Sequence, residues 1–211
     1  MSTSQPPALQ DELLQTIVAR GNLKRFPAQA VLVNEGDRTD SLFIVVSGRV
    51  KVYASSAAGK EVILSTLGPG DYFGELALDG GERSASVMTL EPTSCVIVNG
   101  ANLRAFLADH PDFAQHLILK LIGRVRSLTD SVKSLALEDV YGRLVKLLQT
   151  LSMPEGEHRV MPHRLTQQDM AEYVGSSREM VSRILKELTT GGYVRSEGGR
   201  LVLLRTPPAA W

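Results

Sequence analysis

The chain has 211 residues, 43% of them hydrophobic, and 23 Lys and Arg balance 23 Asp and Glu to a formal net charge of +0. This length predicts one large domain or two small ones with ordinary globular cores, and the balance excludes a polycation, so nucleic-acid binding would have to rest on local charge. No run of about 18 apolar residues is present, which excludes a transmembrane helix.

Met1-Ser2-Thr3-Ser4-Gln5-Pro6-Pro7 has neither the charged nor the apolar part of a signal sequence and is expected to be loose. Ala8 to Ala19 reads as a short amphipathic helix. From Leu23 to Val98 the pattern changes to short strands, clearest at Val31–Val33, Ser41–Val46, Val50–Tyr53 and Glu61–Leu64. Gly36-Asp37, Ser47-Gly48, Gly59, Gly68-Pro69-Gly70 and Gly80-Gly81 break them at the intervals of an all-β roll. Such a double-sheet roll encloses a pocket. Cys95, the one cysteine, falls in the apolar run Cys95–Val98 and reads as a small buried residue. A single Cys excludes an internal disulfide and a Cys-ligated iron–sulfur cluster, and it fits a cytoplasmic protein.

Asn102 to Leu107 reads as a short helix. Asp109 or Pro111 then opens a long one that runs to about Leu137. Leu117, Leu121, Val125, Leu128, Val132 and Leu135 follow one another at steps of four, four, three, four and three, the pattern of a coiled-coil seam. At 1.5 Å per residue the seam is roughly 25–30 Å long, which predicts pairing with a second copy of the chain. Gly142 marks the hand-over to a further amphipathic helix around Leu144–Leu148, and Met153 to His158 reads as a loop. Beyond Gly191-Gly192, two strands at Tyr193–Arg195 and Arg200–Leu204 are joined by Glu197-Gly198-Gly199, as in a wing. The tail Pro207–Trp211 is expected to be peripheral. Residues 139–211 carry ten Lys and Arg against eight Asp and Glu, a small excess of the sign that DNA requires.

Two segments carry chemistry. Phe73-Gly74-Glu75-Leu76-Ala77-Leu78 with Arg83-Ser84-Ala85 sets a glycine turn, a carboxylate, a guanidinium and a hydroxyl within about a dozen residues. Arg83 can pair with a phosphate through a fork of N–H donors and Ser84 can add a hydroxyl donor. Glu75 would repel a phosphate, so it is assigned to a sugar hydroxyl. The second segment, Leu165 to Leu185, reads as helix, tight turn, helix. Thr166 caps the first helix with Asp169 as its acidic partner, Gly175 permits the turn, and Ser176 or Ser177 caps the second helix. Val181, Ile184, Leu185 and Leu188 bury one face of that helix, leaving Arg178, Glu179, Ser182 and Arg183 on the other. Arg can read guanine O6 and N7, and Glu can read cytosine N4, in a major groove.

Together these segments resemble the cyclic-AMP receptor protein (CRP/FNR) family of bacterial transcription regulators, over roughly Leu23 to Leu204. The first looks like that family's phosphate-binding cassette and the second like its recognition helix, while Leu137-Glu138-Asp139-Val140-Tyr141-Gly142-Arg143-Leu144 is similar to its interdomain hinge. The resemblance implies an α+β fold: an N-terminal helix and cyclic-nucleotide-binding β-roll (jelly roll) over 1–110, a dimerisation helix over 111–138, and a C-terminal winged helix-turn-helix over 139–211. It implies cyclic AMP, or another cyclic nucleotide, as allosteric effector. Gly74, Glu75, Leu76, Arg83 and Ser84 would hold its ribose and phosphate. Arg124 matches a basic residue near the ligand, and Thr129 a hydroxyl residue that reaches the base across the dimer. Leu128 departs from the cyclic-AMP pattern, which has a hydroxyl there; one lost hydrogen bond costs about 0.5–1.5 kcal/mol of base selection.

The same resemblance implies a homodimer on double-stranded DNA at an inverted TGTGA-like repeat, with RNA polymerase as a further partner and no membrane. Arg178, Glu179 and Arg183 would read bases; Thr166, Gln167, Ser176, Ser177 and Lys186 would touch phosphates. The four His residues, 110, 116, 158 and 163, form neither a cluster nor a helical i, i+4 pair, so no metal or haem is expected. No constellation of nucleophile, base and oxyanion donors appears, so no enzyme is expected. Two other readings stand beside this one: a regulator of the same fold that is constitutive or senses another ligand, such as cyclic di-GMP, and an enzyme or effector-binding module whose C-terminal domain has lost DNA binding.

Overall fold

The computed structural model describes residues 11–208. The expectations for Met1–Pro7, for the first residues of the N-terminal helix and for Ala209–Trp211 lie outside them. Contacts divide the chain into two units at Ser127: the second unit runs on from Leu128 and also holds Ser55–Val62.

Apart from the Ser55–Val62 stretch, the first unit opens with α1 (Asp11–Val18) and continues through β1 (Asn22–Phe26), β2 (Val31–Val33), β3 (Leu42–Ser47), β4 (Val50–Ser55), β5 (Glu61–Leu67), β6 (Tyr72–Phe73), β7 (Ser86–Thr89) and β8 (Thr93–Val98). Two antiparallel four-stranded sheets result, ordered β1-β8-β3-β6 and β2-β7-β4-β5, so the roll expected from the turn spacing is present. Alternation along the strands builds its two cores. Phe43, Val45, Phe73 and Cys95 point between the sheets, against Val33, Val50, Leu67 and Val87. Their neighbours Leu42, Ile44, Tyr72, Val96 and Val98 point to the opposite face, where Ile17, Leu103, Phe106, Phe113 and Leu117 cover them. Each such side chain contributes about 1.5–3 kcal/mol when fully buried. Burial also pushes the Cys95 thiol up to about 11, so it sits there as an inert apolar group.

Helix α2 (Gly100–Asp109) is capped by the Asn99 side chain, which accepts from the Asn102 amide. Helix α3 (Pro111–Leu137) starts with Pro, whose missing N–H costs nothing in a first turn. The apolar seam divides along its length. Leu117 and Leu121 pack into the roll, whereas Val125, Leu128, Val132 and Leu135 are 52–65% exposed in the single chain.

In the second unit, α3 gives way to α4 (Val140–Leu151) at Glu138-Asp139 rather than at Gly142. The Asp139 carboxylate caps α4 by accepting from the Gly142 amide, so the glycine lies inside the new helix. Met153–His158, expected as a loop, is mostly hairpin: β9 (Met153–Glu155) pairs with β10 (His158–Val160) across a turn at Gly156, φ +62°. Next come α5 (Gln167–Val174) and α6 (Arg178–Thr190), then β11 (Val194–Glu197) and β12 (Arg200–Leu203). The wing is therefore a four-stranded sheet, β11-β12-β10-β9. β9 and β10 leave no periodic mark in the sequence because three residues are too few to show alternation. Leu144, Leu148, Met170, Val174, Val181, Ile184 and Leu188 form one core beneath the helices. None of the described helices is long and apolar enough to cross a membrane.

Candidate nucleotide and nucleic-acid sites

β6 ends at Phe73, whose ring stacks on Phe43 of β3 with centroids 4.9 Å apart. The chain then passes through Gly74 at φ +92°. A Cβ there would stand 2.5 Å from Arg83 Nη1 and 2.6 Å from the Ser41 carbonyl oxygen, so both the conformation and the space demand glycine. Glu75–Asp79 follows as one 3-10 turn.

Arg83 is drawn inside this loop and is only 4% exposed. Its Nε donates to Thr39 Oγ1 at 2.7 Å, Nη1 to the Gly74 carbonyl at 2.9 Å and Nη2 to the Ser41 carbonyl at 2.7 Å. Burial lowers its pKa, an effect that Asp40, Glu75 and Asp37 oppose. A guanidinium has five N–H donors, and these bonds use three.

Glu75 is equally buried. Its Oε1 accepts from Arg124 Nη1, and Arg124 Nη2 donates to the Tyr72 carbonyl at 2.9 Å. Its Oε2 is buried without a hydrogen-bond partner. One turn earlier on α3, Lys120 donates to Asp71 at 3.2 Å and lies 3.7 Å over the Tyr72 ring. Burial lowers the pKa of Lys120 and Asp71 raises it. Two cations at i and i+4 thus tie α3 to β6 and the cassette. Arg124 is marked in the sequence, but Lys120 is not, because only the packing of α3 on β6 brings it to Asp71 and Tyr72.

Gly74, Glu75, Arg83 and Arg124 therefore gather at one place. Ser84 and Leu76 are exposed in the same loop, Leu76 by 51%. Leu128 and Thr129 lie on exposed positions of α3 beyond Ser127. Chemically, the cluster offers buried positive charge at Arg83 and an unused buried acceptor at Glu75. That is one end for an anion and one for a hydroxyl.

The helix-turn-helix is assembled as its sequence pattern requires. Thr166 and Asp169 form a reciprocal capping box at α5. The Thr166 hydroxyl donates to the Asp169 carboxylate at 2.8 Å and accepts from its amide at 3.1 Å, which commits it to the cap. Gly175, at φ +64°, ends α5 in the left-handed conformation. Ser177, not Ser176, caps α6, accepting from the Met180 amide at 3.2 Å. Val181, Ile184, Leu185 and Leu188 are buried, leaving Arg178, Glu179, Arg183 and Lys186 exposed. Gln167, Arg178, Glu179, Ser182, Arg183 and Lys186 line one cleft of about 460 Å³.

A family model of the cyclic nucleotide-binding domain matches residues 23–110, and one of the Crp-like helix-turn-helix domain matches residues 142–209. The chain is 34% identical to the CRP-like cAMP-activated global transcriptional regulator of Mycobacterium tuberculosis, over 84% of this chain and 82% of the relative. It is 30% identical to the cAMP-activated global transcriptional regulator CRP of Escherichia coli, over 93% and 96%. Among solved structures, the c-di-GMP responsive global regulator CLP of Xanthomonas campestris matches with a TM-score of 0.84 and 26% identity, over 93% of this chain and 100% of that one.

Proposed function

This chain belongs to the CRP/FNR family of transcription regulators, non-enzymatic DNA-binding proteins with a cyclic nucleotide-binding domain, and we propose that it is a cytoplasmic homodimer controlled by a cyclic mononucleotide, cyclic AMP foremost. The observation that carries this reading is the joint burial of Arg83 and Glu75 around Gly74. Arg83 supplies N–H donors and charge to a cyclic phosphate, Ser84 adds a hydroxyl, and Glu75 Oε2 accepts from the ribose. Gly74 and Leu76 lend backbone. Arg124 holds the other oxygen of Glu75 in place.

Ligand can favour DNA binding only through a difference in its affinity for two arrangements of α3. Arg124, Leu128 and Thr129 lie on that helix and would feel the ligand. The exposed seam from Val125 to Leu135 supports pairing of two chains, which would present two α6 helices to a palindrome. Arg178, Glu179 and Arg183 read base edges in a TGTGA-like half-site. Gln167, Ser176, Ser177 and Lys186 touch phosphates. Thr166, assigned there too, would have to give up a cap bond or act through its helix-terminal surroundings. RNA polymerase is the further partner.

A second reading, cyclic di-GMP as effector, has Leu128 in its favour, since the cyclic-AMP pattern has a hydroxyl at that position. It also has the likeness to a protein described as c-di-GMP responsive. Calorimetric titration with cyclic AMP, cyclic GMP and cyclic di-GMP separates the two. Saturable binding of cyclic AMP with tighter DNA binding in its presence supports the first. Binding of cyclic di-GMP alone supports the second, and DNA affinity indifferent to all three makes the regulator constitutive.

A further inference from the structure

We infer that Arg143 is a positioning residue for DNA reading: it clamps the turn of the helix-turn-helix to the end of the dimerisation helix and thereby fixes the half-site spacing the dimer accepts. The inference rests on the dimeric, palindrome-reading function proposed above.

Arg143 sits in the first turn of α4. Its Nε donates to the Val174 carbonyl at 2.9 Å and its Nη1 to the Glu138 carbonyl at 2.6 Å. Val174 is the last residue of α5, and Glu138 follows the last residue of α3. The carbonyls at a helix C-terminus have no intrahelical partner and carry the negative end of the macrodipole. One guanidinium therefore satisfies two such helix ends at once, and its charge lies between two negative poles. Lys could supply the charge but not the rigid fork.

Four neighbouring contacts tighten the joint. Gly175, next after Val174, comes so close to α3 that a Cβ on it would stand 3.3 Å from Leu135 Cδ2. The Glu138 carboxylate accepts from Ser134 at 2.7 Å, on the last turn of α3, and from Lys146 at 3.1 Å, on α4. Asp139 caps α4. The backbone between α3 and α4 is thus held from both sides, and Arg143 is the one side chain in this group that bonds to the turn leading into α6. Its own side chain is not among those lining the cleft of Arg178 and Arg183.

A clamp of this kind leaves binding to one half-site alone but sets the relation between two. One added base pair at the centre of a palindrome moves a half-site by about 3.4 Å and turns it by about 35° round the duplex. A rigid joint cannot follow; a loosened one can.

The test begins with selection of an operator from random DNA by the wild-type full chain, in the presence of whichever of cyclic AMP, cyclic GMP and cyclic di-GMP binds it in titration. Binding is then measured to that operator, to the same operator with one base pair added at its centre, and to a single half-site. The wild type should lose about tenfold or more on the insertion, and Arg143→Met about threefold or less, with half-site binding equal within about twofold. Arg143→Lys should fall between them, and it carries the test if Arg143→Met does not fold. Wild-type spacing discrimination in both variants would overturn the role of Arg143. A loss of half-site affinity with discrimination intact would also overturn it, as a purely structural effect. Selection that yields no inverted repeat would overturn the palindrome-reading function itself, and this inference with it.

Discussion

Arg124 donates to one oxygen of the Glu75 carboxylate, whose second oxygen is buried and unpartnered, so the α3 end of the cassette holds a half-satisfied ion pair. Glu75 is the more enclosed partner, with its side chain 2% exposed against 31% for Arg124. Removing the cation leaves a buried charge alone, which generally costs about 3–5 kcal/mol; the partial exposure of Arg124 puts the expected loss near the lower figure. Arg124→Ala should therefore destabilise the protein by about 3 kcal/mol in urea unfolding. Adding Glu75→Gln should restore much of that. Additive losses in the double variant would show that the two side chains do not depend on one another.

Replacing Arg83 should test its proposed part in phosphate binding together with its observed part in holding the loop. Arg83→Ala removes the charged partner proposed for the phosphate and should weaken cyclic-nucleotide binding by about ten- to a hundredfold in a calorimetric titration. It also strips the Gly74 and Ser41 carbonyls of their donor, which should lower stability by about 1–3 kcal/mol. Equal nucleotide binding by wild type and variant would refute the assignment of the cassette. Gly74→Ala should lose both properties in the same way, because the added methyl displaces the guanidinium.

The sequence showed most where local rules act alone. The capping box of Thr166 and Asp169, the left-handed Gly175 and the apolar face of α6 each follow from residue type and spacing within one or two turns. The glycine turn and buried charges of the cassette were legible as composition, but the acceptors that hold Arg83 were not. Thr39 and Ser41 contribute a hydroxyl and a carbonyl from more than 40 positions away, and a backbone carbonyl leaves no mark in a sequence. Lys120, with Asp71 and Tyr72, was missed for the same reason, since only the packing of α3 on β6 brings them together. By spacing the six seam residues are equivalent, yet Leu117 and Leu121 serve the roll while the rest are exposed in the single chain. Periodicity identifies an apolar stripe but not what covers each part of it.

Titration of His116 should give the fold a dependence on pH. Burial and the neighbouring Lys120 both lower its pKa below the ordinary 6.5. On acidification the unfolded chain takes up that proton first, so its contribution to stability is unchanged above about 6.5 and becomes unfavourable as pH falls through the folded value. The denaturation midpoint of the wild type should accordingly drop between pH 6.5 and 5 by more than that of His116→Gln. Parallel curves for the two proteins would mean that His116 does not titrate differently in the folded state.

Base reading and phosphate holding should separate cleanly on α6. Arg178 and Lys186 are both exposed and line the same cleft, but they lie more than two turns apart. Arg178 is in the first turn, where a helix laid in a major groove meets base edges; Lys186 is further along, where the groove wall returns to backbone. A bidentate Arg on guanine contributes roughly 1–3 kcal/mol of discrimination, whereas a Lys on phosphate contributes charge without sequence. Arg178→Ala should therefore relax preference at one symmetric pair of base positions in a selection from random DNA. Lys186→Ala should keep the selected motif and weaken every sequence alike. It should also flatten the slope of log affinity against log salt by about two in a dimer, one for each lost contact. Loss of the same base preference in both variants would mean that Lys186 also reads sequence. A selected motif without symmetric G·C pairs would mean that Arg178 does not face guanine, and the assignment of α6 as the reading helix would fall.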